Sequence, residues 1–193
     1  MSIVEQKAAL RKGLIAGRPK EQPDAGTQGS MAEAIKGFFP NGDFQLTAYL
    51  PIRRELDPLP LVERLGLFPV ALPRTPTEPG PLDFRLWSPG DALDDGLFNT
   101  KEPTTAAPLI AHESVVVLLP LVGFDAGCFR LGYGGGFYDR TLSLFREQGK
   151  SVIALGLAYD SQFVEGQLPV EATDERLHAV ITPSRVYEPL TKA

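Results

Sequence analysis

The chain has 193 residues, with 19 lysines and arginines against 24 aspartates and glutamates, which gives a formal net charge of −5. Its 43% hydrophobic and 22% charged residues exclude a disordered chain or a fibre, and its length predicts one domain over residues 1–193. The acidic balance argues against a nucleic-acid partner, and the longest apolar run, residues 115–124, is too short to span a membrane.

The predicted elements alternate between helices and short strands along the chain. A first helix is expected at residues 2–16, where Ser2 and Glu5 have the spacing of a capping box. Residues 17–30, which are rich in Gly and Pro, are expected to form a loop. Further helices are expected at residues 58–65, with Asp57 as N-cap, and 138–147; strands are expected at residues 45–49, 68–72, 84–87, 115–119, 152–157 and 178–181.

The strand at residues 115–119 indicates the fold class. Its sequence, VVVLL, is continuously apolar, which is typical of a strand that is covered on both faces. This favours an α/β fold with a mostly parallel sheet and helices on each side. The chain has a single cysteine, Cys128, and its first residues have no apolar signal core, so we expect a cytoplasmic protein. We also expect a monomer.

The unusual part of the composition is 19 glycines and 18 prolines without a repeating period. Four of these glycines cluster in residues 130–139, which read RLGYGGGFYD and lead into the last predicted helix. Such glycines allow positive φ angles and let several amide N–H groups face one anion at a helix N-terminus, beside Arg130. The segment matches neither the P-loop nor the dinucleotide pattern, because it ends in Gly-Phe-Tyr. A tight turn without a ligand remains an alternative.

Asp139 lies at the start of the helix that follows these glycines. A carboxylate beside a phosphate repels it unless a divalent cation lies between them. Asp139 is therefore either an acid that stabilises the helix N-terminus or a magnesium ligand, and the spacing alone leaves both open.

Several segments in order resemble the 5-formyltetrahydrofolate cyclo-ligase family, and the resemblance covers about residues 3–185. Beside residues 130–139 it includes KAALR at residues 7–11, YLPIRRELDP at residues 49–58, LVGFD at residues 121–125 and GLAYDSQ at residues 156–162. The resemblance implies a single three-layer α/β/α domain. It also implies a ligase of one-carbon folate metabolism that closes 5-formyltetrahydrofolate to 5,10-methenyltetrahydrofolate with ATP and Mg²⁺, releasing ADP and phosphate.

The resemblance also implies roles for individual residues. Arg130 would be catalytic, by stabilising the phosphoryl group in transfer, and Asp139 and Asp174 would bind magnesium. The ATP-binding residues would be Lys7, Arg11, Arg130, Leu131, Gly132, Tyr133, Gly134, Gly135, Gly136, Phe137 and Tyr138. The folate-binding residues would be Leu50, Glu55, Trp87, Tyr133, Gly134, Gly135, Gly136 and Phe137.

Alternatives remain at the level of residues and of function. Trp87 is as consistent with the core as with a ligand contact, and Lys7 with Arg11 could be a solvated helix flank. Thr173 stands where the family commonly has histidine, which leaves open a paralogue that uses Mg-ATP on another substrate. A non-catalytic folate- or nucleotide-binding module is the third possibility.

Overall fold

The computed structural model describes residues 2–189, and within them the chain forms four α-helices and eleven β-strands around a central sheet. The helices are α1 (Ile3–Ala16), α2 (Ala25–Lys36), α3 (Leu59–Leu65) and α4 (Phe137–Glu147). The strands are β1 (Gln45–Thr47), β2 (Val70–Arg74), β3 (Asp83–Trp87), β4 (Leu93–Asp95), β5 (Lys101–Pro103), β6 (Ser114–Pro120), β7 (Gly123–Phe124), β8 (Arg130–Leu131), β9 (Ser151–Leu157), β10 (Ala179–Ile181) and β11 (Val186–Tyr187).

Seven strands form the main sheet, in the order β11-β10-β9-β6-β1-β2-β3. The five central strands run parallel, and only β11 and β3 at the two edges are antiparallel to their neighbours. β6 lies in the middle and pairs with β9 from Ser114 opposite Ser151 to Pro120 opposite Leu157. Its apolar positions 115–119 are all buried, so the predicted mostly parallel sheet is confirmed.

Helices cover both faces of this sheet, which confirms the three-layer α/β/α fold. Alternate residues of β6 point to opposite faces, as the strand period of two requires. Val116 and Leu118 belong to the core under α2 and α3, whereas Val115 and Val117 belong to the core under α4. The helix residues buried in the two cores are Met31, Ile35, Leu61 and Val62 on one face, and Leu142 and Phe145 on the other.

The first helix packs away from these two cores, against the small hairpin of β7 and β8. Ser2 and Glu5 form the predicted capping box, with the Glu5 amide donating to Ser2 Oγ at 3.3 Å and the Ser2 amide donating to Glu5 Oε2 at 2.8 Å. Leu10 and Leu14 contact a small apolar cluster around Val122, Leu131 and Leu168. This packing sets one flank of α1 beside the glycine-rich segment.

The predicted loop at residues 17–30 is wrong over its second half, where α2 begins at Ala25. The Asp24 carboxylate caps this helix by accepting from the Thr27 amide at 2.8 Å, and Met31, Ala32 and Ile35 are buried. The N-cap was not recognised because the surrounding Gly and Pro residues favoured a loop. Asp57 does not occupy the N-cap position of α3, which is Pro58, although its carboxylate still accepts from the Leu59 amide at 3.0 Å.

Five short strands were absent from the prediction: β4, β5, β7, β8 and β11 have two or three residues each. A strand this short has too few residues to show a period of two. The strand predicted at residues 68–72 lies instead at Val70–Arg74. Among the helices of residues 2–189, none combines the length and apolar character that crossing a membrane requires.

Candidate active site

Polar side chains gather where the parallel strands end. The segments that follow β1 and β6 approach the glycine-rich segment and the C-terminal half of α1, and ligands of open α/β sheets bind at this carboxyl edge. We call the region where these segments meet the crevice, and we name its two ends after the ligands that the sequence resemblance implies. The nucleotide end consists of residues 130–139 and 171–175 with Lys7 and Arg11, and the folate end consists of residues 50–57 with Arg18.

Two of the four glycines of the glycine-rich segment have the positive φ angles that its sequence allows. Gly134 has a φ of +102° and Gly136, the N-cap of α4, has a φ of +64°. A Cβ atom at Gly136 would lie 2.7 Å from the guanidinium of Arg140, so a side chain there requires Arg140 to move. A glycine N-cap also has no side chain to bond the first amides of α4, which leaves the positive end of the helix dipole toward the crevice.

Lys7 and Arg11 lie on one face of α1, as their spacing of four residues predicts; Arg11 reaches the glycine-rich segment and Lys7 reaches residues 171–174. Arg11 Nε donates to the Gly132 carbonyl at 2.8 Å. Lys7 Nζ donates to Glu171 Oε2 and to Asp174 Oδ2, each at 2.7 Å, and Lys7 is buried. Burial lowers the pKa of Lys7, but its hydrogen bonds to the two carboxylates outweigh burial and raise the pKa above the usual value.

Arg130 and Asp139 form a second ion pair at the same end. Arg130 Nη2 donates to Asp139 Oδ1 at 2.6 Å, and the Glu175 amide donates to the same oxygen at 3.0 Å. Arg130 is buried, and burial lowers its pKa while Asp139 opposes that shift. Burial raises the pKa of Asp139; the positive charge of Arg130 counteracts this rise and the negative charge of Asp174 adds to it.

The two predicted magnesium ligands therefore lie within electrostatic range of each other. Within residues 2–189 no group of three His, Cys, Asp or Glu side chains could hold a metal ion alone. Mg²⁺ commonly uses one or two carboxylates together with substrate phosphates and water rather than an all-protein cage. Asp139 and Asp174 fit that kind of site, because burial and, to a smaller degree, the charge of Asp174 raise the pKa of Asp139, and a cation beside the two carboxylates would balance their charge.

Glu55 lies at the folate end and is almost fully buried. Its Oε2 accepts from the Ile52 amide at 3.0 Å, whereas its Oε1 has no hydrogen-bond partner among the described residues. Burial raises the pKa of Glu55, and the bond from Ile52 and the charge of Arg18 oppose that rise. The preceding Arg53 and Arg54 have φ angles of +48° and +60°, an uncommon conformation for residues with side chains.

The structure does not bring Trp87 to Glu55. Trp87 lies in the core under α2 and α3, with its ring edge-on to Phe68 at 6.1 Å and its Nε1 donating to the Asp91 carbonyl at 3.3 Å. It also borders a cavity of about 290 Å³ that no other predicted site residue lines. Leu50, by contrast, directly precedes the turn that carries Glu55 and is half-buried.

Arg18 is a crevice residue that sequence reasoning missed. Its guanidinium is buried and donates to the Arg53 carbonyl, the Tyr133 hydroxyl and the Leu121 carbonyl at 2.9, 2.6 and 2.9 Å. Arg18 lies beyond the end of α1 at Ala16, so the helical spacing of Lys7 and Arg11 does not extend to it and no local pattern indicates its place in the site. Glu171, the second partner of Lys7, was missed as well.

Comparisons with known proteins agree with one another. A family model described as the 5-formyltetrahydrofolate cyclo-ligase family matches residues 3–183. The 5-formyltetrahydrofolate cyclo-ligase of Escherichia coli (strain K12) is 39% identical over 150 residues, which cover 74% of this chain and 80% of that protein. The cyclo-ligase of Mycolicibacterium smegmatis is 30% identical over 190 residues, covering 93% and 94%. The structure of Aquifex aeolicus 5,10-methenyltetrahydrofolate synthetase has a TM-score of 0.68 at 26% identity and covers 97% of this chain and 94% of that one.

Proposed function

The chain belongs to the 5-formyltetrahydrofolate cyclo-ligase family, and we propose that it closes 5-formyltetrahydrofolate to 5,10-methenyltetrahydrofolate with Mg-ATP, releasing ADP and phosphate. The observation that carries this proposal is the arrangement of Lys7, Arg11 and Arg130 around a glycine-rich helix N-terminus, with Asp139 and Asp174 beside them. Phosphoryl transfer needs this kind of positioning and charge neutralisation rather than a protein nucleophile.

At the nucleotide end, Lys7, Arg11 and Arg130 supply the positive charge for the phosphates. The first amides of α4 add hydrogen-bond donors, because the glycine N-cap does not occupy them. Leu131, Tyr133, Phe137 and Tyr138 would complete the nucleotide site together with the glycines. When ATP binds, Lys7 and Arg130 exchange part of their contact with carboxylates for contact with phosphate.

Asp139 and Asp174 are the residues that would hold Mg²⁺. Each has its charge balanced by a cation, Arg130 and Lys7 respectively. A bound Mg²⁺ would supply charge neutralisation for the phosphates next to these carboxylates.

At the folate end, Glu55 would accept hydrogen bonds from the donor-rich edge of the pterin. Its Oε1, which has no partner among residues 2–189, is the atom available for this contact. Leu50 would add apolar surface, and residues 133–137 would border the folate from the nucleotide side. Trp87 stays a predicted contact of the substrate; its position in the core gives no support for a stacking role.

The expected reaction has two steps, a phosphoryl transfer and a ring closure, and each uses residues from one end of the crevice. The formyl oxygen of the substrate is a poor leaving group, and it takes the terminal phosphoryl group as ADP leaves. The folate N10 then attacks the formyl carbon, phosphate departs with the former formyl oxygen, and N10 loses its proton. Arg130 stabilises the charge on the phosphoryl group during transfer, and Glu55 holds the pterin so that N10 faces the activated carbon.

Turnover tests this proposal directly. Incubation of the protein with 5-formyltetrahydrofolate, ATP and MgCl₂ should increase the absorbance of the methenyl product, and omission of ATP or chelation of Mg²⁺ should abolish the increase. Binding of Mg-ATP without product would instead indicate a paralogue that acts on another substrate. Binding of folate without ATP hydrolysis would indicate a non-catalytic module.

The remaining expectations concern the state of the protein rather than its chemistry. We propose a monomeric, cytoplasmic protein of one domain without nucleic-acid or membrane partners. Light scattering coupled to size-exclusion chromatography tests the monomer, and a single cooperative thermal transition is expected for one domain.

A further inference from the structure

The proposed function leaves one buried cation of the crevice without a role. Arg18 is 2% exposed and lies two residues beyond the end of α1, the helix that carries Lys7 and Arg11. Buried arginines are uncommon unless their donors are satisfied by defined partners. The two terminal nitrogens of Arg18 meet this condition with three oxygen acceptors, which belong to three segments far apart in the chain, whereas its Nε has no hydrogen-bond partner among the described residues.

Each acceptor of Arg18 lies on a different wall of the crevice. The Arg53 carbonyl belongs to the turn that carries Glu55, the Leu121 carbonyl directly follows β6, and the Tyr133 hydroxyl belongs to the glycine-rich segment. The guanidinium carbon also lies 5.6 Å from the centre of the Tyr133 ring, a cation–π distance. Arg18 is thus in contact with both the folate end and the nucleotide end.

Arg18 is also the nearest cation to the substrate-facing oxygen of Glu55. Its Nη2 lies 3.9 Å from Glu55 Oε1, and both side chains are buried. The charged and titratable groups that interact with Glu55 come from several segments: Arg18, Arg53, Tyr49, Tyr133 and Tyr138. Among these groups, Arg18 and Arg53 carry positive charge, and Arg53 is exposed to solvent.

We propose that Arg18 is a positioning residue for folate binding, which places a positive charge beside the carboxylate of Glu55 and aligns it with Tyr133 of the glycine-rich segment. The proposal rests on the proposed function, because it assigns Glu55 to the pterin. It accounts for the position of a buried arginine that contacts neither of the magnesium-binding candidates.

A lysine could supply the charge but not the geometry. Arginine has five donors in a planar fork, and Arg18 uses both terminal nitrogens to reach three oxygens in different directions. A lysine ammonium at the same place would stay near Glu55 but would lose some of the contacts to Arg53, Tyr133 and Leu121. The variants Arg18→Lys and Arg18→Gln therefore test separately how Arg18 aligns Glu55 and what its positive charge contributes.

The test is the pH profile of kcat/KM for 5-formyltetrahydrofolate, measured for both variants in the wild-type and in the Glu55→Gln background. In Arg18→Gln, loss of the positive charge should raise the pKa of Glu55 and move the acid limb of the profile to higher pH. In the Glu55→Gln background, Arg18→Gln should not shift the acid limb of the profile, because the titrating carboxylate is absent. Arg18→Lys should leave the limb in place and raise KM for the folate about tenfold, with a smaller effect on KM for ATP.

The outcomes separate this proposal from the proposed function. Absence of turnover in the wild type would overturn the proposed function itself. With wild-type turnover present, an Arg18→Gln variant whose acid limb stays in place would overturn the role of Arg18 for Glu55. If Arg18→Gln does not fold, Arg18→Lys decides, since an unchanged KM for the folate contradicts alignment. Arg64→Gln, a change of an exposed arginine on α3, is the matched control and should alter neither quantity.

Discussion

The two ends of the crevice differ in how their charged groups are paired and exposed to solvent. At the nucleotide end, Lys7 and Arg130 are each paired with a carboxylate at 2.7 or 2.6 Å, and the carboxylates of Glu171, Asp174 and Asp139 are partly exposed. At the folate end, Glu55 and Arg18 are buried, and Glu55 Oε1 has no hydrogen-bond partner among the described residues. Polyphosphates and cations can exchange with ion pairs near water, whereas a buried oxygen that lies 3.9 Å from Arg18 but accepts no hydrogen bond is available as an acceptor for a ligand.

This difference predicts where substitutions act. Changes at the nucleotide end should alter the rate and the dependence on ATP and Mg²⁺. Changes at the folate end should alter the folate KM, the pH profile and the stability of the folded protein.

The largest effect is expected for Arg130→Ala. Arg130 is the buried cation of the nucleotide end, and its loss also leaves Asp139 without its ion-pair partner. By comparison with cationic groups that stabilise phosphoryl transfer in other enzymes, kcat should fall by roughly 10³-fold or more. The kcat of Arg130→Lys should lie between those of the wild type and of Arg130→Ala, because lysine keeps the positive charge but lacks the planar guanidinium group.

The control for this prediction is Arg146→Ala. Arg146 forms an ion pair with Glu175, the residue whose backbone contacts both Arg130 and Asp139. Its loss should leave kcat within a few-fold of the wild type. A folded Arg130→Ala variant with a similarly small decrease in kcat would contradict the role of Arg130.

Glu55→Gln should give the next largest effect and should separate activity from stability. The carboxylate is lost as a pterin acceptor, so kcat/KM for the folate should fall about 10²-fold while KM for ATP changes little. Because burial raises the pKa of Glu55 in the folded state, the contribution of Glu55 to stability is fully present below its unfolded pKa and is lost as the pH rises through its folded pKa. Glutamine does not titrate, so the variant should have a Tm a few degrees above the wild type at neutral pH.

Thermal unfolding at several pH values checks this prediction. The Tm difference between Glu55→Gln and the wild type should narrow as the pH decreases toward the ordinary range of a glutamate. Glu63→Gln, at an exposed position of α3, should change neither Tm nor activity. A variant that is less stable than the wild type at neutral pH would show that Glu55 stabilises the fold.

A third prediction concerns Mg²⁺ and compares the two acids of the nucleotide end. Asp139→Asn and Asp174→Asn should each raise the MgCl₂ concentration for half-maximal rate by about tenfold or more, since a carboxylate ligand is lost. Titration of the rate with MgCl₂ at saturating ATP measures this shift. Asp43→Asn, at an exposed position far along the chain from both acids, should leave the titration unchanged. Unchanged titrations in both variants would exclude these carboxylates as ligands.

The same comparison explains how much of the site could be predicted from the sequence. Both ends are assembled by contacts between distant segments, since Arg11 meets Gly132 and Lys7 meets Asp174. The nucleotide end differs in that its residues also follow local patterns: Lys7 and Arg11 share a helix face, and Gly134 and Gly136 lie within one glycine-rich segment. The folate end has no local pattern of this kind. Arg18 is buried only because Leu121 and Tyr133, more than 100 residues later, come to lie against it.

The fold shows the same division between local and distant information. The continuous apolar sequence of β6 predicts a strand that is covered on both faces, and the structure confirms it. The start of α2 was missed although Asp24 is a good N-cap, because the surrounding Gly and Pro residues favoured a loop. The hairpin of β4 and β5 pairs Leu93 with Pro103 through strands of three residues, which are too short to have a recognisable pattern.

Tyr133→Phe should give the smallest effect, and it tests whether the two ends of the crevice are connected. The change removes the hydroxyl that accepts from Arg18 at 2.6 Å but keeps the aromatic ring, which lies 5.6 Å from the guanidinium carbon of Arg18 and 5.2 Å from that of Arg53. A hydrogen bond to a charged group contributes about 1.5–3 kcal/mol, but Arg18 keeps its two carbonyl acceptors and its place.

We therefore expect kcat/KM for the folate to fall only about three- to tenfold, with KM for ATP changed less than twofold. Tyr133→Leu, which removes the ring as well as the hydroxyl, should cost more because both cation–π contacts are lost. The two variants are measured with the folate varied at saturating ATP and with ATP varied at saturating folate. If Tyr133→Phe raised KM for ATP more than KM for the folate, Tyr133 would act with the phosphates alone, and the two ends would be independent.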